Sequence, residues 1–120
     1  MNHSLLKGQT IIITEATQRS SLKVFLFTYR RGANIVLVDN ETEKLELVIL
    51  NLGLKKERVL VIQSDLKTSE QRQYVFQTAK KKFGFVNILY TKRKFYYDLK
   101  ALKALKSNYN NIFKKGDRDI

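Results

Sequence analysis

The stretch Ile11-Ile12-Ile13-Thr14-Glu15-Ala16-Thr17-Gln18-Arg19-Ser20-Ser21, IIITEATQRSS, decides the fold. The β-branched run from Thr10 to Thr14, which gives way to short polar residues, reads as a strand covered on both faces, then a turn, then a helix. Ser20 or Ser21 is placed to cap that helix, in which Leu22, Phe25, Leu26 and Tyr29 recur at i, i+3, i+4 and i+7. Arg30-Arg31-Gly32 then supplies cations for the last turn and a glycine stop. In many α/β proteins a glycine-rich turn of this kind holds a phosphate at the helix N-terminus. The turn here contains no glycine.

The same grammar repeats downstream. Residues 34 to 39, NIVLVD, form a second continuous apolar strand, and residues 41 to 52 form a helix with Leu45, Val48, Ile49 and Leu52 on one stripe before Gly53. Residues 58 to 63, RVLVIQ, are a third strand. Thr68-Ser69-Glu70-Gln71 offers a capping-box start for a helix that runs through Phe83 to a stop at Gly84. Residues 86 to 90, VNILY, are a fourth strand. Strands alternating with helices of this length predict parallel pairing through right-handed crossovers. Beyond Thr91 come Lys92-Arg93-Lys94 and a predicted amphipathic helix from Tyr96 or Tyr97 to about Phe113. Leu99, Leu102, Leu105, Tyr109, Ile112 and Phe113 share its apolar face, beside a flank of Lys100, Lys103, Lys106 and Lys114.

The composition narrows the function. The chain has 120 residues, 43% of them apolar, enough for one domain with a sizeable core. No cysteine and a single histidine, His3, exclude a disulfide framework, thiolate chemistry and a zinc site. No apolar run approaches the roughly 20 residues of a membrane helix and no leader pattern opens the chain, so a cytoplasmic location is expected. The net charge of +12 is uneven: residues 1 to 78 carry 11 Lys/Arg against 8 Asp/Glu, and residues 79 to 120 carry 12 against 3. Such a basic third either faces solvent or meets an anionic partner such as nucleic acid.

Taken in order, LKGQTIIIT, RRGANIVLVD, LGLKKERVLVIQSDL and AKKKFGFVNILY resemble the short-chain dehydrogenase/reductase family over residues 5 to 90. The resemblance implies a Rossmann-like three-layer α/β sandwich, with a short parallel sheet of about four strands in the order 3-2-1-4 and the amphipathic helix at its C-terminal side. Residues 1 to 94 would form a partial NAD(P)-binding-type domain, and residues 95 to 120 a basic helix and tail of the same domain. It implies NAD or NADP as cofactor, with oxidation of alcohols or reduction of carbonyls as the reaction.

The family's first turn reads Thr-Gly-x-x-x-Gly-x-Gly. Thr14 matches, but the three glycine positions fall on Glu15, Arg19 and Ser21. Glycine serves there for tight turning, close approach of the backbone to pyrophosphate, and packing of helix on strand. Asp39 matches the acid that binds the adenosine ribose and favours NAD, and Asp65 with Leu66 matches the pair beside the adenine. Either aspartate has a plainer use in capping or turning the chain. The family's Asn-Asn-Ala-Gly after the fourth strand is replaced by Thr91-Lys92-Arg93-Lys94.

In the family a tyrosine acts as general acid or base, and a lysine four residues later holds the nicotinamide ribose. Tyr96 and Lys100 fit that spacing as the catalytic pair, although Tyr90 and Lys94 fit it too. The correspondence requires an internal deletion that removes the serine-bearing strand; the alternative is a truncated domain with a new basic tail.

Three functions stay open on the sequence. One is a degenerate, shortened family member without ordinary catalysis. Another is a residual NAD-linked oxidoreductase acting on an alcohol or carbonyl. The third is a binding module that sets Lys80, Lys81, Lys82, Lys92, Arg93, Lys94, Lys100, Lys103 and Lys106 against the phosphates of a nucleic acid, with Phe95, Tyr96 and Tyr97 to stack on its bases. The fourth strand is expected at an open sheet edge, where a second copy would pair to give a homodimer.

Overall fold

The structure is a computed structural model that describes residues 5–97. Its first strand, β1 (Thr10–Thr14), is buried along its whole length. It leads into α1 (Arg19–Arg30), then β2 (Asn34–Asp39), α2 (Glu43–Asn51), a 3₁₀ turn at Lys56–Arg58, β3 (Val59–Gln63), α3 (Ser69–Phe83), β4 (Ile88–Thr91) and β5 (Lys94–Tyr96). The sheet order is β3-β2-β1-β4-β5. The first four strands are parallel and in the order expected from the sequence; β5 is antiparallel to β4.

The continuous apolar runs are explained by layers on both faces of this sheet. Ile11, Ile13, Ile35, Leu37 and Ile88 pack with Phe25 of α1 and with Leu45 and Ile49 of α2. Ile12, Val36, Val38, Ile62 and Leu89 pack on the opposite face with Val75 and Ala79 of α3. The period of two along each strand therefore sorts side chains between two cores.

Three local expectations are revised. First, α1 begins two or three residues earlier than a serine cap would place it: Gln18 is the cap residue, and Ser20 and Ser21 lie inside the helix. Its most buried stripe is Ser21, Phe25 and Thr28, rotated from the stripe read off the apolar residues. Small polar residues can face a sheet closely when the helix backbone absorbs their hydroxyls, and Thr28 Oγ1 donates to the carbonyls of Val24 at 2.7 Å and Phe25 at 3.2 Å. Leu22, Val24, Leu26 and Tyr29 are partly buried around them.

Second, β4 is not the sheet edge, because β5 pairs along it and leaves β3 and β5 on the outside. Lys92 and Arg93 form the two-residue loop of this hairpin, both left-handed with φ of 51° and 64°. Two such residues suit the twist of a tight hairpin, where Asn-Gly is the favoured sequence. Two long cations carry no such signal. Tyr90 and Phe95 hold the hairpin through a cross-strand ring contact of 4.8 Å.

Third, Tyr96 ends a strand and does not begin a helix. The remainder of the expected helix, Lys100 included, lies outside the described residues.

The other boundaries follow local chemistry. Thr68 caps α3, its Oγ1 accepting from the Gln71 amide at 3.1 Å. Gly32 follows α1 with φ of 97°, and a Cβ there would stand 3.1 Å from the backbone nitrogen of Lys7. Among the described residues no helix is long and apolar enough to cross a membrane.

Phe25 is the largest fully buried side chain and fills the space between α1 and the sheet. Phe25→Ala is expected to lower stability by about 3 to 5 kcal/mol in urea unfolding followed by circular dichroism.

Candidate functional site

The carboxyl ends of β1, β2 and β3 open onto a cleft of about 330 Å³. Parallel sheets place ligand sites at this end because the loops there converge while the strands fix their spacing. Five of the residues singled out in the sequence line the cleft: Thr14, Glu15, Asp39, Asp65 and Leu66. Arg19 is exposed in the first turn of α1, and Ser21 is buried behind the turn.

The turn after β1 retains the backbone shape that glycine ordinarily provides. Glu15 has φ of 49°, a left-handed conformation that costs a residue with a Cβ roughly 1 to 2 kcal/mol. Backbone bonds hold it there: the Gln18 amide donates to the Glu15 carbonyl at 3.0 Å, and the Ala16 amide donates to the Val38 carbonyl at 3.2 Å. Ser21, at the last glycine position, approaches β1 closely enough for its Oγ to donate to the Thr14 carbonyl at 3.2 Å. A hydroxyl fits this contact because its polar atom finds an acceptor; a larger apolar side chain would push helix from strand.

The Glu15 carboxylate stands 3.8 Å from the Lys92 ammonium and accepts from Gln18 Nε2 at 3.4 Å. Lys92 comes from the β4–β5 hairpin and lines the same cleft. Two substitutions that look unrelated in the sequence thus meet in space. Beneath them the Thr14 hydroxyl donates to Thr91 Oγ1 at 2.7 Å, joining the ends of β1 and β4 in the interior.

Asp39 is committed to the protein itself. Its Oδ2 accepts from the Thr17 amide at 3.0 Å and from Thr17 Oγ1 at 3.0 Å, while Oδ1 accepts from the Glu41 amide at 2.9 Å. A carboxylate offers about four lone-pair sites, so three are spent on the two loops that flank it. Asp65 turns the chain after β3, its Oδ1 accepting from the Lys67 amide at 3.0 Å. Leu66 is buried with φ of 58°, and the Leu66 amide donates to Ser64 Oγ at 3.0 Å. Arg72 on α3 is also buried and donates through Nη1 to the carbonyls of Leu66 at 3.3 Å and Lys67 at 3.1 Å.

The sequence reading missed Thr17, Ser64 and Arg72. Thr17 was legible as a small hydroxyl residue in the turn, but nothing local marks Asp39 as its partner. Tyr96 does not join the cleft-lining set; it packs against the α3-side core of Ile12, Val86 and Leu89. Its proposed partner Lys100 lies outside the described residues.

The Asp39 bonds are present without any ligand, so Asp39→Ala is expected to cost about 2 kcal/mol of stability in urea unfolding of the protein alone. An aspartate kept only for a ligand would leave that midpoint unchanged. A double-mutant cycle of Glu15→Gln and Lys92→Met should give a coupling below about 1 kcal/mol that shrinks as salt is added, because both side chains are partly exposed.

A family model described as short chain dehydrogenase matches residues 9–92. Among solved structures the chain is similar to a short-chain dehydrogenase/reductase, glucose/ribitol dehydrogenase, from Brucella melitensis: 25% identity and a TM-score of 0.67, over 74% of this chain and 37% of that one. It is similar in fold to a short-chain dehydrogenase/reductase from Burkholderia phymatum solved in complex with NAD, at 22% identity and a TM-score of 0.64, over 71% of this chain and 30% of that one. A glucose dehydrogenase of Caenorhabditis elegans in its apo form shares 23% identity and a TM-score of 0.67, over 72% of this chain and 38% of that one. The chain therefore spans about a third of the length of these structures. No curated protein matches the sequence.

Proposed function

Because this chain belongs to the short-chain dehydrogenase family, we propose that it is a degenerate form of that family's nucleotide-binding core, with its grip on the dinucleotide diphosphate and its oxidoreductase activity lost. The observation that carries this reading is the Glu15 carboxylate in the turn before α1, 3.8 Å from the Lys92 ammonium and 3.4 Å from Gln18 Nε2.

The residues present do not fit the diphosphate of NAD or NADP. At a separation of about 4 Å, a carboxylate and a phosphate repel by about 4 kcal/mol at an effective dielectric of 20. That corresponds to roughly a thousandfold loss of affinity. Lys92 offsets part of the repulsion, yet a partly exposed pair contributes only about 0 to 1 kcal/mol. Asp39, which the resemblance assigns to the adenosine ribose, already receives three hydrogen bonds from the protein. A ribose would compete with Thr17 and Glu41 for it.

The residual-enzyme reading has one observation in its favour: Thr14, Asp39, Asp65 and Leu66 still line a single cleft. Its catalytic half draws less support. Tyr96 lies on β5 and is partly buried in the core on the α3 side.

Titration with NADH and NADPH separates the two. The folded protein is expected to show no saturation at about 1 mM of either dinucleotide, and Glu15→Gly is expected to tighten NADH binding at least tenfold, since it removes the charge and relaxes the left-handed residue. Saturable micromolar binding by the unaltered protein, with turnover of an alcohol or carbonyl, would overturn the proposal.

A further inference from the structure

On the sheet face that carries α1 and α2, the flank over β4 and β5 has no helix of its own among the described residues. An apolar groove of about 290 Å³ lies there, lined by Leu5, Phe27, Ile88, Phe95 and Tyr97, with Arg31 as its only charged lining residue among those described. Leu5 is 65% exposed, Phe27 55% and Tyr97 67%. The aromatic walls are preformed. The Arg31 guanidinium covers the Phe27 ring at 3.5 Å, and Phe95 and Tyr97 stack at 5.8 Å with ring planes 16° apart.

We propose that this groove is the docking site of the chain's own C-terminal segment, residues 99–113, seated as an amphipathic helix. Two observations select that occupant. Tyr97, the last described residue, is itself part of the groove wall, so the 23 residues that follow start at its rim. That segment also repeats Leu99, Leu102, Leu105, Tyr109, Ile112 and Phe113 at helical spacing, with Lys100 and Lys103 off the stripe. A helix of 15 residues is about 22 Å long. A tether of effectively zero length gives the segment a millimolar local concentration at the groove, above what a second copy reaches in dilute solution. A groove with one charged residue asks for an apolar stripe and leaves the lysine flank in water.

Continuous cover on this flank is independent of whether the cleft at the other end of the strands binds a nucleotide. It also gives the exposed rings of β5 and α1 a common purpose. Single exposed apolar residues need no explanation, but a contiguous set in a chain whose sequence also carries an apolar stripe at helical spacing does.

The chain contains no cysteine, which makes crosslinking clean. In the full-length protein Phe27→Cys is combined in turn with Leu102→Cys, Leu105→Cys and Tyr109→Cys, and each pair is oxidised at micromolar concentration. At least one pair is expected to form an intramolecular disulfide in a monomer. The control pair Leu47→Cys with Leu105→Cys, placed on the exposed side of α2, is expected to form none. Disulfide-linked dimers would assign the groove to a second copy and overturn the proposal, as would a failure of all three pairs to crosslink in protein with a native circular dichroism spectrum. As a second readout, Leu102→Glu with Leu105→Glu is expected to raise fluorescence of an apolar dye severalfold; an unchanged signal overturns the proposal too.

Discussion

The structure depends on one constraint, the sharp exit of a fully buried strand into a helix that must pack on the same sheet. β1 is buried along its whole length, so the chain cannot leave it gradually. It turns at Glu15 in a left-handed conformation and enters α1 four residues later. Ser21 lets the helix lie against the strand, and Phe25 fills the space one turn further on. Around that junction the parallel strands lie in the order β3-β2-β1-β4.

The same turn is where a binding scaffold and a plain scaffold diverge. A glycine there adopts the left-handed conformation without a Cβ penalty and leaves room for a ligand. In this chain Glu15 stands 3.8 Å from Lys92, and Thr17 donates twice to Asp39. The cleft is lined by Thr14, Asp39, Asp65 and Leu66 at the positions the family resemblance assigns. The replacements at the two loops are coherent, since an acid on one is matched by a base on the other.

Most of the fold was legible because its signals are local. The apolar runs at residues 10–14 and 34–39 became strands with those bounds, since a strand buried on both faces leaves no polar alternation to blur its ends. Thr68 was legible as a cap from its place before Glu70 and Gln71. The stripe of α1 was misjudged because Ser21 and Thr28 are polar by residue type, yet their hydroxyls are absorbed by backbone carbonyls. β5 was missed because three residues after two cations carry neither alternation nor a turn signal. Its stability comes from pairing with β4 and from the Tyr90–Phe95 contact.

The sequence by itself determined the alternation of strands and helices, the parallel order, the loss of all three turn glycines and the apolar stripe of the C-terminal segment, because periodicity and residue type are properties of neighbours along the chain. Tertiary structure alone decided that Glu15 meets Lys92, that Thr14 bonds to Thr91 across 77 residues, and that Asp39 serves the β1–α1 turn. Those pairings arise where separate strands end side by side, and a linear pattern holds no record of which ends will meet.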